Sequence, residues 1–222
     1  MPTREHFDWE LHKLRDDVLV LASMVDRSID EAVEALVNLD TEAARRVIAA
    51  DAAIDAKRFR IEEQVVTTIA TQQPLARDLR VILAILNIII ELERIGDYAA
   101  GIAKIAVMHR GQPLVKRLNE IPRMAELTRA MLRRSLDAFV NCDATLAHEV
   151  SVEDDEIDVL HDQAYHELVL CMLRDHRTID RATWLIWVSH NLERMADRVT
   201  NICERVVFLV TGRMEELNIP SR

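Results

Sequence analysis

The sequence predicts an all-α protein of two tandem repeats of an antiparallel three-helix bundle, six long helices in all. Three observations carry this. Turn residues are scarce: 4 Gly and 5 Pro in 222 residues, with neither between Thr3 and Gln73 nor between Arg123 and Thr211. Average usage is roughly 7% and 5%, and a sandwich, barrel or Rossmann-type sheet needs turn residues far more often than this chain supplies them. Apolar residues recur at three- and four-residue steps, the helical period. The pattern then repeats along the chain. Half of the residues are hydrophobic, enough for a core without disulfide or metal staples.

The first helix shows an unbroken stripe of Leu11, Leu14, Val18, Leu21, Val25, Ile29, Ala32 and Leu36. Asn38-Leu39-Asp40 interrupts it, and Asp40 is a good N-cap because its carboxylate can accept from the free amides of the next turn. A second stripe runs through Val47, Asp51, Ile54, Arg58, Ile61 and Val65 and stops at Gln72-Gln73-Pro74. The third runs through Ile82, Leu86, Ile90, Glu93, Asp97, Ala100 and Val107 and ends near His109–Pro113. Each helix is roughly 30 residues, about 45 Å at 1.5 Å per residue, and short connections make them antiparallel neighbours.

Adding 103 to the residue numbers lays the first half on the second without a gap from Met24 to about Ala70. It matches Ala35 with Ala138, Asn38 with Asn141, Asp40 with Asp143, Val47 with Val150, Asp51 with Asp154, Ile54 with Ile157 and Asp55 with Asp158. In the third helix the offset becomes 100, matching Leu92, Glu93, Arg94, Asp97 and Ile102 with Leu192, Glu193, Arg194, Asp197 and Ile202. The missing residues belong to a turn, as expected for a duplicated helical unit. The expected domains are 1–111 and 123–222, joined by a linker over 112–122, with Gly111 to Pro122 as the hinge.

Charge and cysteine usage exclude several function classes. The net charge is −10 and no basic stripe occurs, which excludes nucleic acid as a partner, since such binders need clustered cations. Cys142, Cys171 and Cys203 form no CxxC pair, the pattern of cytosolic thiols rather than of a disulfide frame. The start of the chain lacks an apolar signal segment. Its most apolar run, Val81 to Ile90, falls short of the ~20 residues of a membrane span. A soluble, cytoplasmic protein without direct membrane insertion is expected.

Function is carried by the polar residues that repeat. The second helix of each copy has Asp-xx-Ile-Asp (Asp51/Asp55 and Asp154/Asp158), and the third has Glu-xxx-Asp (Glu93/Asp97 and Glu193/Asp197). Spacing of i,i+4 puts both side chains on one helix face, here on or beside the stripe that faces a neighbouring helix. Several carboxylates converging in a partly desolvated groove cost several kcal/mol per ion in effective penalty, so something must offset them. One reading is an ion-pair network with Arg58, Arg77, Arg80, Arg94, Arg194 and Arg198. The other is a metal site, where all-carboxylate ligation without Cys suits Mg, Mn, Ca or oxidised iron. Arg58 becomes His161 and Ile90 becomes His190 in the second copy; either histidine is a candidate ligand or an ordinary satisfied side chain.

The runs VIAADAAID, TIATQQPLARDLR and ELERIGDYAAGIAKIA, with HNLERMADRVTNICERVVFLVTG in the second half, resemble the PhoU family of phosphate-uptake regulators over nearly the whole chain. The resemblance implies a cytoplasmic, often dimeric tandem bundle, here a homodimer, that negatively regulates phosphate uptake and phosphate-starvation signalling. Its implied partners are the ATPase subunit of the phosphate ABC transporter and the sensor histidine kinase of the phosphate response. It also implies multinuclear metal clusters on the E(D)-xxx-D motifs, with iron first and manganese, magnesium or zinc as alternatives. Those motifs match Glu93/Asp97 and Glu193/Asp197, with Asp51/Asp55 and Asp154/Asp158 opposite. Glu91 before the first motif is Asn191 in the second, and Gly96 is Ala196.

No enzyme is expected, since there is no P-loop, nucleophile elbow or HExxH. A ferritin-like di-iron protein would need Glu-xx-His motifs, and Asp158-Val-Leu-His161 occurs in one copy alone. A metal-free helical scaffold is the other alternative. Trp184 and Trp187 share a helix face and, with Trp9, are expected in the core.

Overall fold

Asp40 starts the second helix as its sequence suggests: backbone φ −83°, ψ 93°, with Oδ1 accepting from Glu42 N at 3.0 Å and Ala43 N at 2.9 Å. The computed structural model, which describes residues 4–109 and 112–217, places α1 at Arg4–Val37, α2 at Thr41–Gln72 and α3 at Arg77–Met108. The second half has α4 at Glu120–Asn141, α5 at Ala144–Ser151, α6 at Asp154–Arg174 and α7 at Ile179–Thr211. A single 3-10 turn, His176–Thr178, leads into α7.

The duplication extends to backbone detail. Leu39 (φ 53°) and its counterpart Cys142 (φ 52°) are both left-handed. Asp40 N donates to Ala35 O at 2.9 Å, and Asp143 N donates to Ala138 O at the same distance. Asp143 then caps α5 by accepting from Leu146 N at 3.0 Å. The last helix closes on Gly212, whose φ of 76° costs glycine little and lets its N–H reach Phe208 O at 2.8 Å.

The structure departs from six uninterrupted helices at one place. The counterpart of α2 is divided at Val152–Glu153 into α5 and α6. Glu153, Asp154, Asp155 and Glu156 are four consecutive acids. Inside a long helix they would repel one another; in the first turn of a new helix they meet its positive end. The break leaves Asp154 buried, with Thr200 Oγ1 donating to its Oδ2 at 3.2 Å. In addition, α4 begins at Glu120, inside the expected linker, because Pro122 is tolerated in a first helical turn.

The two halves share one core. Helix α3 packs against α1, α2 and α7, which explains why the apolar run Val81–Ile90 has its Ile82, Ile85, Ile88 and Ile89 fully buried. The α3–α7 seam is antiparallel and pseudo-symmetric. Glu91 Oε2 accepts from Asn201 Nδ2 at 3.2 Å, and at the matching point Asn191 Nδ2 lies 3.0 Å from where a Cβ on Gly101 would sit. Between α1 and α4, Asp26 accepts from Arg129 Nε at 3.0 Å and Arg133 Nη2 at 2.8 Å. Burial would raise the Asp26 pKa, but these hydrogen bonds and charges outweigh it and hold it below its ordinary value.

Tryptophan placement differs from expectation. Trp184 packs on the core with its ring edge-on to His109 at 5.2 Å, but Trp9 and Trp187 are 60% and 54% exposed. Both lie on faces of α1 and α7 that stay largely open to solvent. Cys203 is buried, and burial followed by the Asp154 charge pushes its pKa up to about 12, so it stays a thiol.

The cap residues give a direct test. Asp40→Ala and Asp143→Ala each remove a first-turn acceptor, and each is expected to lower unfolding free energy by about 0.5–2 kcal/mol in urea denaturation. Asp40→Asn, which keeps the acceptor, is expected to restore most of the loss.

Candidate functional site

The four carboxylates of the first half come together because α2 and α3 approach closely at one small residue. A Cβ on Gly96 would meet Ile54 Cδ1 at 3.2 Å and lie 3.8 Å from Asp51 Oδ1. Glycine at 96, one turn between Glu93 and Asp97, therefore lets Asp51 stand over the α3 motif. Asp51, Glu93 and Asp97 all have raised pKa values. The first cause is burial in each case, followed by neighbouring carboxylates: Asp97 and Asp55 act on Asp51 and on Glu93, and Asp55 acts on Asp97.

Among the described residues, no hydrogen bond or ion pair reaches the carboxylates of Asp51, Asp55, Glu93 or Asp97. Three arginines of the expected ion-pair network, Arg58, Arg94 and Arg198, are engaged elsewhere. Arg58 Nη1 donates to Glu62 at 2.5 Å, Arg94 lies 3.6 Å from Glu91, and Arg198 donates to Glu91 at 3.4 Å. Arg58 and Arg94 lower the Glu93 pKa from a distance, and Lys104 lowers those of Asp51 and Asp97. Sequence reasoning missed Lys104, although it sits seven residues, two turns, beyond Asp97 on the same helix face.

The second cluster gathers the same motif positions but differs in its partners. Asp158 is exposed, yet its pKa is pushed up to about 6, first by partial burial and then by Asp154, Glu193, Asp197 and Asp155. Asp155 is the further acid that the motif reading left out, although the acidic run containing it is plain in the sequence. Asp197 accepts from Arg194 Nη1 at 2.6 Å, so here the ion-pair reading holds for one carboxylate. Glu193 Oε2 is buried without a hydrogen bond of good geometry, with His190 Nδ1 3.1 Å away. His161 Nδ1 is 3.1 Å from Ser189 Oγ, an ordinary partner, and its ring lies 6.1 Å from that of His190. Where the first site has Lys104, the second has Glu204, itself paired with Arg205 at 3.2 Å.

Chemically, the first cluster offers four carboxylates without a direct partner, and oxygen ligands of this kind fit a hard cation. No three His, Cys, Asp or Glu among the described residues already stand as a group that could hold an ion, so ligation requires the carboxylates to rotate inward. In the second cluster Asp197 and Asp154 would first have to give up existing hydrogen bonds.

Comparison with known proteins matches this architecture. The family model described as the PhoU domain matches twice, over residues 18–106 and 121–206. The chain belongs to the PhoU family. The phosphate-specific transport system accessory protein PhoU homolog of Clostridium acetobutylicum is 36% identical over 217 residues, covering 97% of this chain and 99% of that one. Its Pseudomonas putida homolog is 37% identical over 210 residues, 94% and 82% of the two chains. The crystal structure of PhoU from Pseudomonas aeruginosa superposes with a TM-score of 0.88 at 35% identity, covering 93% of this chain and all of that one. That of the phosphate transport system regulatory protein PhoU from Streptococcus pneumoniae also gives 0.88, at 33% identity and 95% coverage of this chain. The sequence resemblance and the all-helical tandem fold are thus both shown. As in the sequence reading, no helix among the described residues of this PhoU-family chain is long and apolar enough to cross a membrane.

The Asp158 shift has a definite sign in stability. An unfolded Asp titrates near 3.9, and folding raises this one to about 6, so the folded chain binds the extra proton between those values. The stabilisation is full below about pH 4 and is lost as pH rises through 6; Asp51, Glu93 and Asp97 shift in the same direction. In metal-free protein this contribution lowers the melting temperature from pH 5 to pH 7.5, against the opposite contribution of His109, whose pKa burial lowers. Asp158→Asn should raise the pH 7.5 melting temperature and remove its share of that fall; calorimetry at the two pH values checks both.

Proposed function

We propose that this chain is a negative regulator of phosphate uptake and phosphate-starvation signalling, working as a binding module without covalent chemistry. The observation that carries the reading is its likeness, over nearly full length, to proteins named phosphate-specific transport system accessory protein. In this reading it acts in the cytoplasm, as a homodimer, on the ATPase subunit of the phosphate ABC transporter and on the sensor histidine kinase. A net charge of −10 supports steering towards basic patches on such partners.

The carboxylate clusters give the module its ligand. Asp51, Asp55, Glu93 and Asp97 would hold metal in the first half, and Asp154, Asp158, Glu193 and Asp197 in the second. Iron is the first candidate, with manganese, magnesium or zinc behind it. A bound cation supplies the positive charge that these side chains lack, and the unpartnered first cluster supports the reading best. Its carboxylates, raised in pKa by one another, are the groups whose mutual repulsion a cation relieves.

Two measurements test this. Asp51→Asn with Asp97→Asn should remove about half of the metal found by elemental analysis of chelator-free protein, with helical content unchanged. Glu193→Gln with Asp197→Asn should remove the remainder. Full metal content in both double variants would mean that these side chains are not ligands. Crosslinking in cells should recover the transporter ATPase with this chain. A clean failure alongside a positive control would contradict the regulatory reading.

A further inference from the structure

A cleft between the beginning of α1 and the C-terminal half of α2 shares no residue with either carboxylate cluster. It encloses about 370 Å³ and is lined by Trp9, Glu10, Lys13, Arg60, Gln64 and Thr67, with Leu14 and Thr68 buried in it. This lies at the small end of ligand pockets, roughly 300–1,000 Å³, room for one side chain or a small molecule.

What the buried acceptors of the cleft lack is a donor. Glu10 Oε1 is 3.2 Å from His6 Nε2, which fixes the carboxylate, but Oε2 is buried with no partner. Gln64 Oε1 is likewise buried and unpartnered. Thr67 Oγ1 spends its proton on Glu63 O at 2.9 Å, so towards a ligand it can only accept. Buried acceptors of this kind ordinarily find a donor. Trp9, 60% exposed, adds a flat platform, and Lys13 Nζ, 5.6 Å from its ring centroid, shows the indole already taking a cation. The charged ends of Lys13, Arg60 and Glu63 are exposed and free to turn into water, whereas the two orphaned oxygens are not.

Several acceptors beside an aromatic face match a planar, cationic group with a fork of N–H donors. Guanidinium meets that description, and a lysine ammonium, a compact point charge, meets it less well. We propose that this cleft receives an arginine side chain from a basic segment of a partner protein. The −10 net charge of the chain draws such a segment in.

The test uses the full chain labelled with 15N, following the Trp9 indole N–H, assigned by its loss in Trp9→Phe. The probe is a Gly/Ser peptide with one arginine, in about 0.15 M salt, where exposed charges are largely screened. Matched peptides carry lysine or glutamate instead, and inorganic phosphate is a separate arm. The arginine peptide should shift the Trp9 signal saturably, with at least threefold weaker binding for lysine. Glu10→Gln should weaken it at least tenfold; Gln64→Leu is the second variant should the first disturb other signals. Exposed Trp187 should not respond. The proposal is overturned by an unmoved Trp9 signal at 10 mM arginine peptide, by equal binding of lysine, or by unchanged binding in the variants. Equal movement of Trp187 (nonspecific attraction), or a stronger response to glutamate or phosphate (an anion site), overturns it as well.

Discussion

Carboxylates held beside one another by close helix packing are the constraint around which this molecule is arranged. Burial and mutual repulsion both act against the ionised state, and each raises the pKa of Asp51, Glu93, Asp97 and Asp158. The cost is tolerated because the core beneath is continuous. Helix α3 is wrapped by α1, α2 and α7, and the fully buried isoleucines along it hold the helices in register whatever the acids prefer. Such residues are locally unfavourable features on a globally favourable fold, a combination that makes them candidates for function.

Duplication gave two such clusters, and the structure makes them unequal. The first has Lys104 nearby and no direct partner on its acids; the second has Glu204 at the matching position, an Arg194–Asp197 ion pair and two histidines. Gly96 admits Asp51 over the first motif, whereas Ala196 is itself buried in the second. The break before Asp154 then moves the second-helix acids to a helix start. Two clusters of one ancestry therefore have different charge environments.

Much of this was legible in the chain. Asp40 and Asp143 announce helix starts through local chemistry alone, and the apolar stripes give α1, α2 and α3 because helical period needs no tertiary information. The family is legible too, since both Glu-xxx-Asp motifs sit in register within long matching runs. What could not be read depends on partners distant in sequence. The division at Val152–Glu153 leaves the apolar period intact on both sides. The exposure of Trp9 and Trp187 depends on which faces other helices leave open. The choice between ion pairs and free acids turned on where Arg58, Arg94 and Arg198 found their partners: Glu62 for the first and Glu91 for the other two.

The central claim is that these clusters are short of positive charge when the fold is complete. It is tested most directly by the melting temperature of metal-free protein at neutral pH, with and without 1 mM Mn²⁺, against NaCl of equal ionic strength. A rise with Mn²⁺ that NaCl does not reproduce, and that is lost when Asp51 and Asp97 are both changed to Asn, is the predicted result. Identical melting in the two salts would contradict the account.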